Sequence, residues 1–202
     1  MMEYTATFER PEILDRVEEN GFVTFDGVFD LNLIGLRSPQ QIANAFDDWF
    51  YVVCRGEDGL WHQWIFQCTT DAGLYWLQNP SNVLGTAIMV HPQQARGVYK
   101  LDLHAGKYLA LCQRNGSVKV WRDNNKDEIL DRGGEELEGY FGINIHRASS
   151  HRVLEDVERY SAGCTVIQDP DDFDQLIELC HKQINTIGVE SFTYTLIDGS
   201  RG

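Results

Sequence analysis

His146 and the run Ser161-Ala162-Gly163-Cys164 are the residues of this chain best suited to chemistry, because they supply a base, a nucleophile and a tight turn to present it. A thiol attacks a carbonyl only as its sulfur loses the proton, and an unassisted cysteine with a pKa near ~8.5 is mostly protonated at neutral pH. Cys164 therefore needs a partner. The residues after it, Thr165-Val166-Ile167, form a β-branched triplet that favours a strand, so a helix dipole is not the source of help. A histidine is the alternative activator. His146 ends the stretch Tyr140 to His146, in which Phe141, Ile143 and Ile145 fall on one strand face and Gly142, Asn144 and His146 on the other. That pattern predicts a half-buried strand with the imidazole at its polar end. The product would be acyl transfer through a thioester.

Fourteen residues, 147 to 160, separate His146 from Ser161. This spacing resembles the catalytic motif of the L,D-transpeptidase (YkuD-like) domain, in which a histidine is followed after fourteen to seventeen residues by Ser/Thr-His-Gly-Cys. Leu33-Ile34-Gly35-Leu36-Arg37-Ser38, the segment from Thr69 to Thr86, and Phe141 to Arg147 are also similar to uncharacterised phage and bacterial members, so the resemblance spans most of the chain. It implies a YkuD-like β-sandwich, with His146 as general base, Cys164 as nucleophile, Gly163 and Cys164 offering backbone N–H groups to an oxyanion, and Ser161 bracing the turn. The implied substrate is a peptidoglycan stem peptide. Two positions depart from the family pattern: its second histidine is Ala162 here, and the arginine two residues after the cysteine is Val166. Arg147 is then the candidate for a substrate carboxylate, with Asn144 and His104 as further substrate-facing residues.

The elements that must position these groups read as mainly β with flanking helices, an α+β chain forming one domain over 1–202. Residues 1–48 are expected as an N-terminal helical cover, 49–168 as the β core with the motif, and 169–202 as a helix and closing strand. Helices are predicted from Glu9 to Asn20, ended by Gly21, and after Ser38-Pro39, where Ser38 and Gln41 have capping-box spacing. Trp49 to Val53 and Trp61 to Cys68 flank Gly56-Glu57-Asp58-Gly59 as a hairpin. A turn at Thr69 to Gly73 is expected to lead into a strand at Leu74 to Leu77. Further strands are predicted at Gly85–Val90, Tyr99–Leu103, Tyr108–Gln113 and Ser117–Arg122, the last two joined by an Asn115-Gly116 hairpin turn. Asp169-Pro170-Asp171-Asp172 opens a helix whose stripe is Phe173, Leu176, Ile177, Cys180 and Ile184. Gly188 ends that helix, and Ser191 to Ile197 alternates as a strand before a loose tail.

Asp123, Asn125, Asp127 and Asp131, with the Ile129 carbonyl, stand at positions 1, 3, 5, 9 and 7 of an EF-hand-like loop and suit a structural calcium ion. Position 6 is Glu128 and position 12 is Gly134, so the loop lacks its usual glycine and bidentate glutamate. The acyl-transfer chemistry itself requires no cofactor. The six histidines form no HExxH or i,i+4 pair, which leaves a zinc peptidase without support. The five cysteines are scattered and odd in number, unlike a disulfide framework. A net charge of −14 argues against nucleic acid as a partner. No apolar stretch approaches a membrane span and the N-terminus lacks a signal-peptide pattern, so a cytoplasmic product is expected, reaching the wall in a virion or at lysis. The second reading, from another class, is a virion or tail component that contacts other virion proteins and carries a degenerate site.

Overall fold

The structure, a computed structural model, describes residues 2–41 and 43–199. Most strands form one ring. In chain order they are β1 (Glu3–Thr7), β2 (Asn32–Arg37), β3 (Asp48–Arg55), β4 (Trp61–Thr69), β5 (Thr86–Met89), β6 (Gln93–His104), β7 (Tyr108–Gln113), β8 (Val118–Asp123), β9 (Leu137–Gly139), β10 (Ile145–Arg147), β11 (Thr165–Ile167) and β12 (Ser191–Asp198). The larger sheet runs β1-β4-β11-β10-β7-β6-β12-β2-β3, and an additional β3–β4 pairing closes it on itself, with β1 laid along the first half of β4. The smaller sheet runs β5-β8-β9. The expected mainly β, α+β architecture is the one the chain adopts, as a sandwich-like closed ring with a small sheet beside it. One core joins the two: Phe50, Phe66, Tyr99, Leu111, Ile145 and Tyr194 of the ring pack with Ala87, Met89, Val118 and Val120 of the small sheet.

The helices cover the ring where their apolar stripes demand it. α1 (Glu12–Glu19) buries Ile13, Leu14 and Val17 against Ile34, Val53, Trp61 and Ile197. It starts later than Glu9 because Pro11, at the N-cap, is extended. α3 (Pro170–Ile187) follows its sequence signals closely: the Asp169 side chain accepts the Asp171 N–H, Gly188 ends the helix in the left-handed region, and Phe173, Leu176, Leu179 and Cys180 enter the main core. α2 (Leu74–Gln78) stands where a strand was expected. Gly73 O accepts the Trp76 and Leu77 N–H groups there, and a short apolar run is compatible with either element.

Four other expectations are corrected. Residues 1–48 are not simply a helical cover, since they hold β1 and β2 of the ring. No helix follows Ser38-Pro39 among the described residues: Asp48 accepts the Ser38 N–H, the Ser38 hydroxyl accepts the Gln40 N–H, and Gln41 O accepts the Leu130 N–H, so the segment is tied down as a loop. Asn115-Gly116 is not the turn of a β7–β8 hairpin. Arg114 and Asn115 donate to Val98 O and the chain leaves the ring for the small sheet. Finally, Tyr140 to His146 is not one strand. Gly142 takes φ +71, only residues 145–147 are extended and paired, and His146 is buried rather than at a polar end. The tail beyond Gly199 lies outside the described residues.

Candidate active site

β10 and β11 are parallel neighbours, with Ile145 opposite Thr165, His146 opposite Val166 and Arg147 opposite Ile167. Parallel strands need a crossover of about a dozen residues or more. The long interval between His146 and the Ser161 turn is that crossover, so the spacing legible in the sequence has a topological cause. Cys164, just ahead of β11, packs with Val166, Ala148, Phe46, Leu154 and Val157. His146 stands opposite Val166, two positions beyond Cys164, and among the described residues no hydrogen bond joins the Cys164 sulfur to the His146 ring.

The His146 ring is held in a defined tautomer. His146 Nδ1 lies 2.9 Å from Arg147 O, and a carbonyl only accepts, so Nδ1 carries the proton and Nε2 is the free acceptor. Among the described residues Nε2 makes no hydrogen bond. Burial, reinforced by the neighbouring His104, lowers the His146 pKa to about 3, so the ring is neutral at any ordinary pH.

The thiol is half-buried and has two backbone contacts: the Asn144 N–H donates to Sγ at 3.4 Å, and Sγ–H donates to Gly142 O at 3.5 Å. Burial pushes its pKa up to about 11, while the Asn144 N–H pulls the other way. The pair is therefore neutral thiol and neutral imidazole, not a preformed ion pair. Ser161 does close the turn, donating from Oγ to Cys164 O at 2.8 Å and accepting the Gly163 N–H at 3.1 Å. That second bond corrects the role expected of Gly163: its N–H is engaged and does not face an oxyanion, whereas the Cys164 N–H is without a partner among the described residues. Gly163 takes φ +113, and a Cβ there would lie 2.2 Å from Ala87 O, so no other residue fits the turn.

Two of the substrate-facing expectations are corrected. Arg147 alternates away from His146 and stacks its guanidinium on Tyr108 at 4.3 Å and Phe173 at 5.9 Å, with the Asp174 carboxylate 3.7 Å away. It faces α3 rather than the thiol. Asn144 is buried and held by the protein at both ends of its amide: Oδ1 accepts the Gln113 N–H at 2.9 Å, and Nδ2 donates to His104 Nδ1 at 3.2 Å. His104 does reach the site, with its ring stacked on that of His146 at 4.2 Å between centroids and 23° between planes.

Gln113 escaped the sequence reading. Its Oε1 accepts the N–H groups of Phe141, Gly142 and Ile143 at 3.1, 2.9 and 3.2 Å, and its Nε2 donates to Gly116 O and Gly139 O. One buried amide thus shapes the segment that supplies both contacts to the sulfur. The only signal for it in the sequence is a glutamine closing an apolar strand.

A second polar cluster, also unforeseen, lies where the ring meets the small sheet. Fully buried Arg37 donates to Thr70 Oγ1, Thr70 O and Met89 O, and stands 3.4 Å from Asp71, whose other oxygen accepts from Arg132. Asp48 accepts the Ser38 N–H and both the N–H and hydroxyl of Thr70.

In the acidic loop Asn125 Nδ2 donates to Asp127 and Asp131, Asp127 accepts the Ile129 N–H, and Asp123 Oδ2 accepts the Asp131 N–H, while Asp123 Oδ1 is buried without a hydrogen-bond partner among the described residues. Among the described residues no group of three or more His, Cys, Asp or Glu is arranged to hold a metal ion. All five cysteines are free. No helix among the described residues is long and apolar enough to cross a membrane. No family model, curated protein or solved structure matches this chain.

Proposed function

We propose that this chain catalyses cysteine-dependent acyl transfer, with Cys164 as nucleophile and His146 as general base. The observation that carries the reading is the Nδ1–H bond from His146 to the Arg147 carbonyl, which leaves Nε2 unprotonated on the strand paired with the one Cys164 leads into. As Sγ bonds to the substrate carbonyl carbon, its proton passes to Nε2; the tetrahedral intermediate collapses by breaking the carbon–nitrogen bond, and the proton leaves with the amine. The Cys164 N–H is the donor available to the oxyanion. Water or a second amine then attacks the thioester, regenerating the thiol and giving hydrolysis or a new amide.

The resemblance in sequence directs the substrate proposal to the stem peptides of peptidoglycan, cleaved or joined at a peptide bond by an L,D-transpeptidase-like enzyme of phage or bacterial type. Neither Arg147 nor Asn144 supplies the substrate contact in this reading. The second reading, a virion or tail component with a degenerate site, draws on the raised thiol pKa and the engagement of the Gly163 N–H.

Digestion of purified peptidoglycan, followed by mass analysis of the fragments, tests the proposal. Wild type is expected to release or crosslink stem-peptide products, while Cys164→Ala and His146→Ala reduce the yield at least a hundredfold, in line with the size of general-base effects of about 10²–10⁴. Equal product from wild type and Cys164→Ala would overturn it.

A further inference from the structure

His104 and His146 come from distant strands, yet their rings lie face to face at 4.2 Å. The orientation of His104 follows from a chain of donors with only one solution. The Gln113 backbone N–H must donate, so the Asn144 side-chain oxygen is the atom that receives it and the Asn144 NH₂ group is the one turned to His104. His104 Nδ1 is therefore an acceptor and its ring, when neutral, carries the proton on Nε2. Burial, and then the charges of Arg114 and Lys107, lowers the His104 pKa and favours that neutral form. Tyr108, paired with His104 across the β6–β7 turn, packs on the same ring at 5.5 Å. Asn144 also donates its own N–H to the Cys164 sulfur. A single residue thus links the nucleophile to the ring that backs the base.

We propose that His104 is a positioning residue for His146: a neutral imidazole, set by the Asn144 amide, whose face clamps the base in the rotamer that hydrogen-bonds Arg147 O. This rests on the acyl-transfer reading for its catalytic meaning, but the clamp itself is a property of the folded chain. Its contribution comes from ring contact, so an aromatic ring without nitrogen can replace it, whereas a small side chain cannot. An aromatic pair of this kind corresponds to a change of about tenfold in the population of the clamped rotamer.

The test compares His104→Phe with His104→Ala on the full chain, by ¹⁵N-edited spectroscopy of the His146 ring and by peptidoglycan turnover. His104→Phe is expected to keep the Nδ1–H tautomer of His146 and kcat within about threefold, while His104→Ala mixes the tautomers and lowers kcat about tenfold with KM little changed. Thermal melts establish that both variants fold; if His104→Ala does not, the His104→Phe and wild-type spectra decide alone, and a tautomer altered in His104→Phe overturns the clamp. Unchanged tautomer and kcat in a folded His104→Ala would also overturn it. Peptidoglycan turnover that persists in Cys164→Ala would instead remove the acyl-transfer reading and leave the spectroscopic result standing.

Discussion

At the scale of single residues, the candidate site holds two neutral groups, the Cys164 thiol and the His146 imidazole. Papain-like logic would have the thiolate formed before substrate arrives, but burial raises Cys164 to about 11 and lowers His146 to about 3, so proton transfer between them in the free protein is uphill. In the proposed reaction the proton moves as the carbon–sulfur bond forms, when the developing charge passes on to the oxyanion. Alkylation of Cys164 by iodoacetamide is accordingly expected to rise about tenfold per pH unit from pH 7 to pH 10, tracking the thiolate fraction. A plateau at neutral pH, lost in His146→Ala, would show an ion pair instead. The other four cysteines are buried and should label only on unfolding.

At the scale of elements, the segment between β9 and β10 decides whether the thiol has its backbone contacts at all. Alternation in the sequence suggested a strand from Tyr140 to His146, and the apolar positions Ile143 and Ile145 are indeed buried. What interrupts it is Gly142 in the left-handed region and a ladder partner that is a side chain, Gln113, rather than a backbone. Replacing Gln113 with Leu would remove the partner of three N–H groups and two carbonyls, of which the Ile143 N–H is buried and the others are partly exposed. It is expected to cost about 2 kcal/mol of stability in urea titrations, since an orphaned buried group carries a penalty of about 1–3 kcal/mol and the partly exposed ones are hydrated by water. Hydrogen exchange at Phe141, Gly142 and Ile143 should accelerate beyond the global change, and an unaltered exchange pattern would show that the segment holds its shape without the amide. The element-level signals that did succeed were the local ones. The Gly56–Gly59 hairpin, the Asp169 cap and the Gly188 stop depend on a few neighbouring residues and formed as expected.

At the scale of the whole molecule, the ring and the small sheet are joined by buried Arg37, Asp48 and Asp71 with half-buried Arg132, as well as by the shared apolar core. Burial first, and the charge of Asp71 second, raises the Asp48 pKa to about 7, against the pull of Arg37 and Thr70. A carboxyl whose folded pKa lies above its unfolded value adds stability at pH values below the unfolded pKa of about 3.9, and that contribution is lost as pH rises through the folded pKa. Wild type should therefore lose stability between about pH 4 and pH 7 relative to Asp48→Asn, read as the difference in urea midpoints across that range. A difference independent of pH would place the Asp48 titration elsewhere. Removing Arg37 has the opposite character, because it strands buried carboxylates at every pH where they are charged.

Taken by itself, the sequence determined the mainly β class, the ends of the long helix and the first hairpin. These follow from periodicity, capping and turn chemistry, which act over a few residues. The tertiary structure decided which strand neighbours which: β7 and β8 lie in different sheets although they are adjacent in the chain, and β10 and β11 are neighbours although a crossover separates them. It also decided which polar groups serve the protein itself, as the Asn144 and Arg147 side chains and the Gly163 N–H do. Both outcomes depend on burial, which turns every polar group near the core into one that must find a partner, and the partner that completes it comes from whichever strand the ring's closure places alongside.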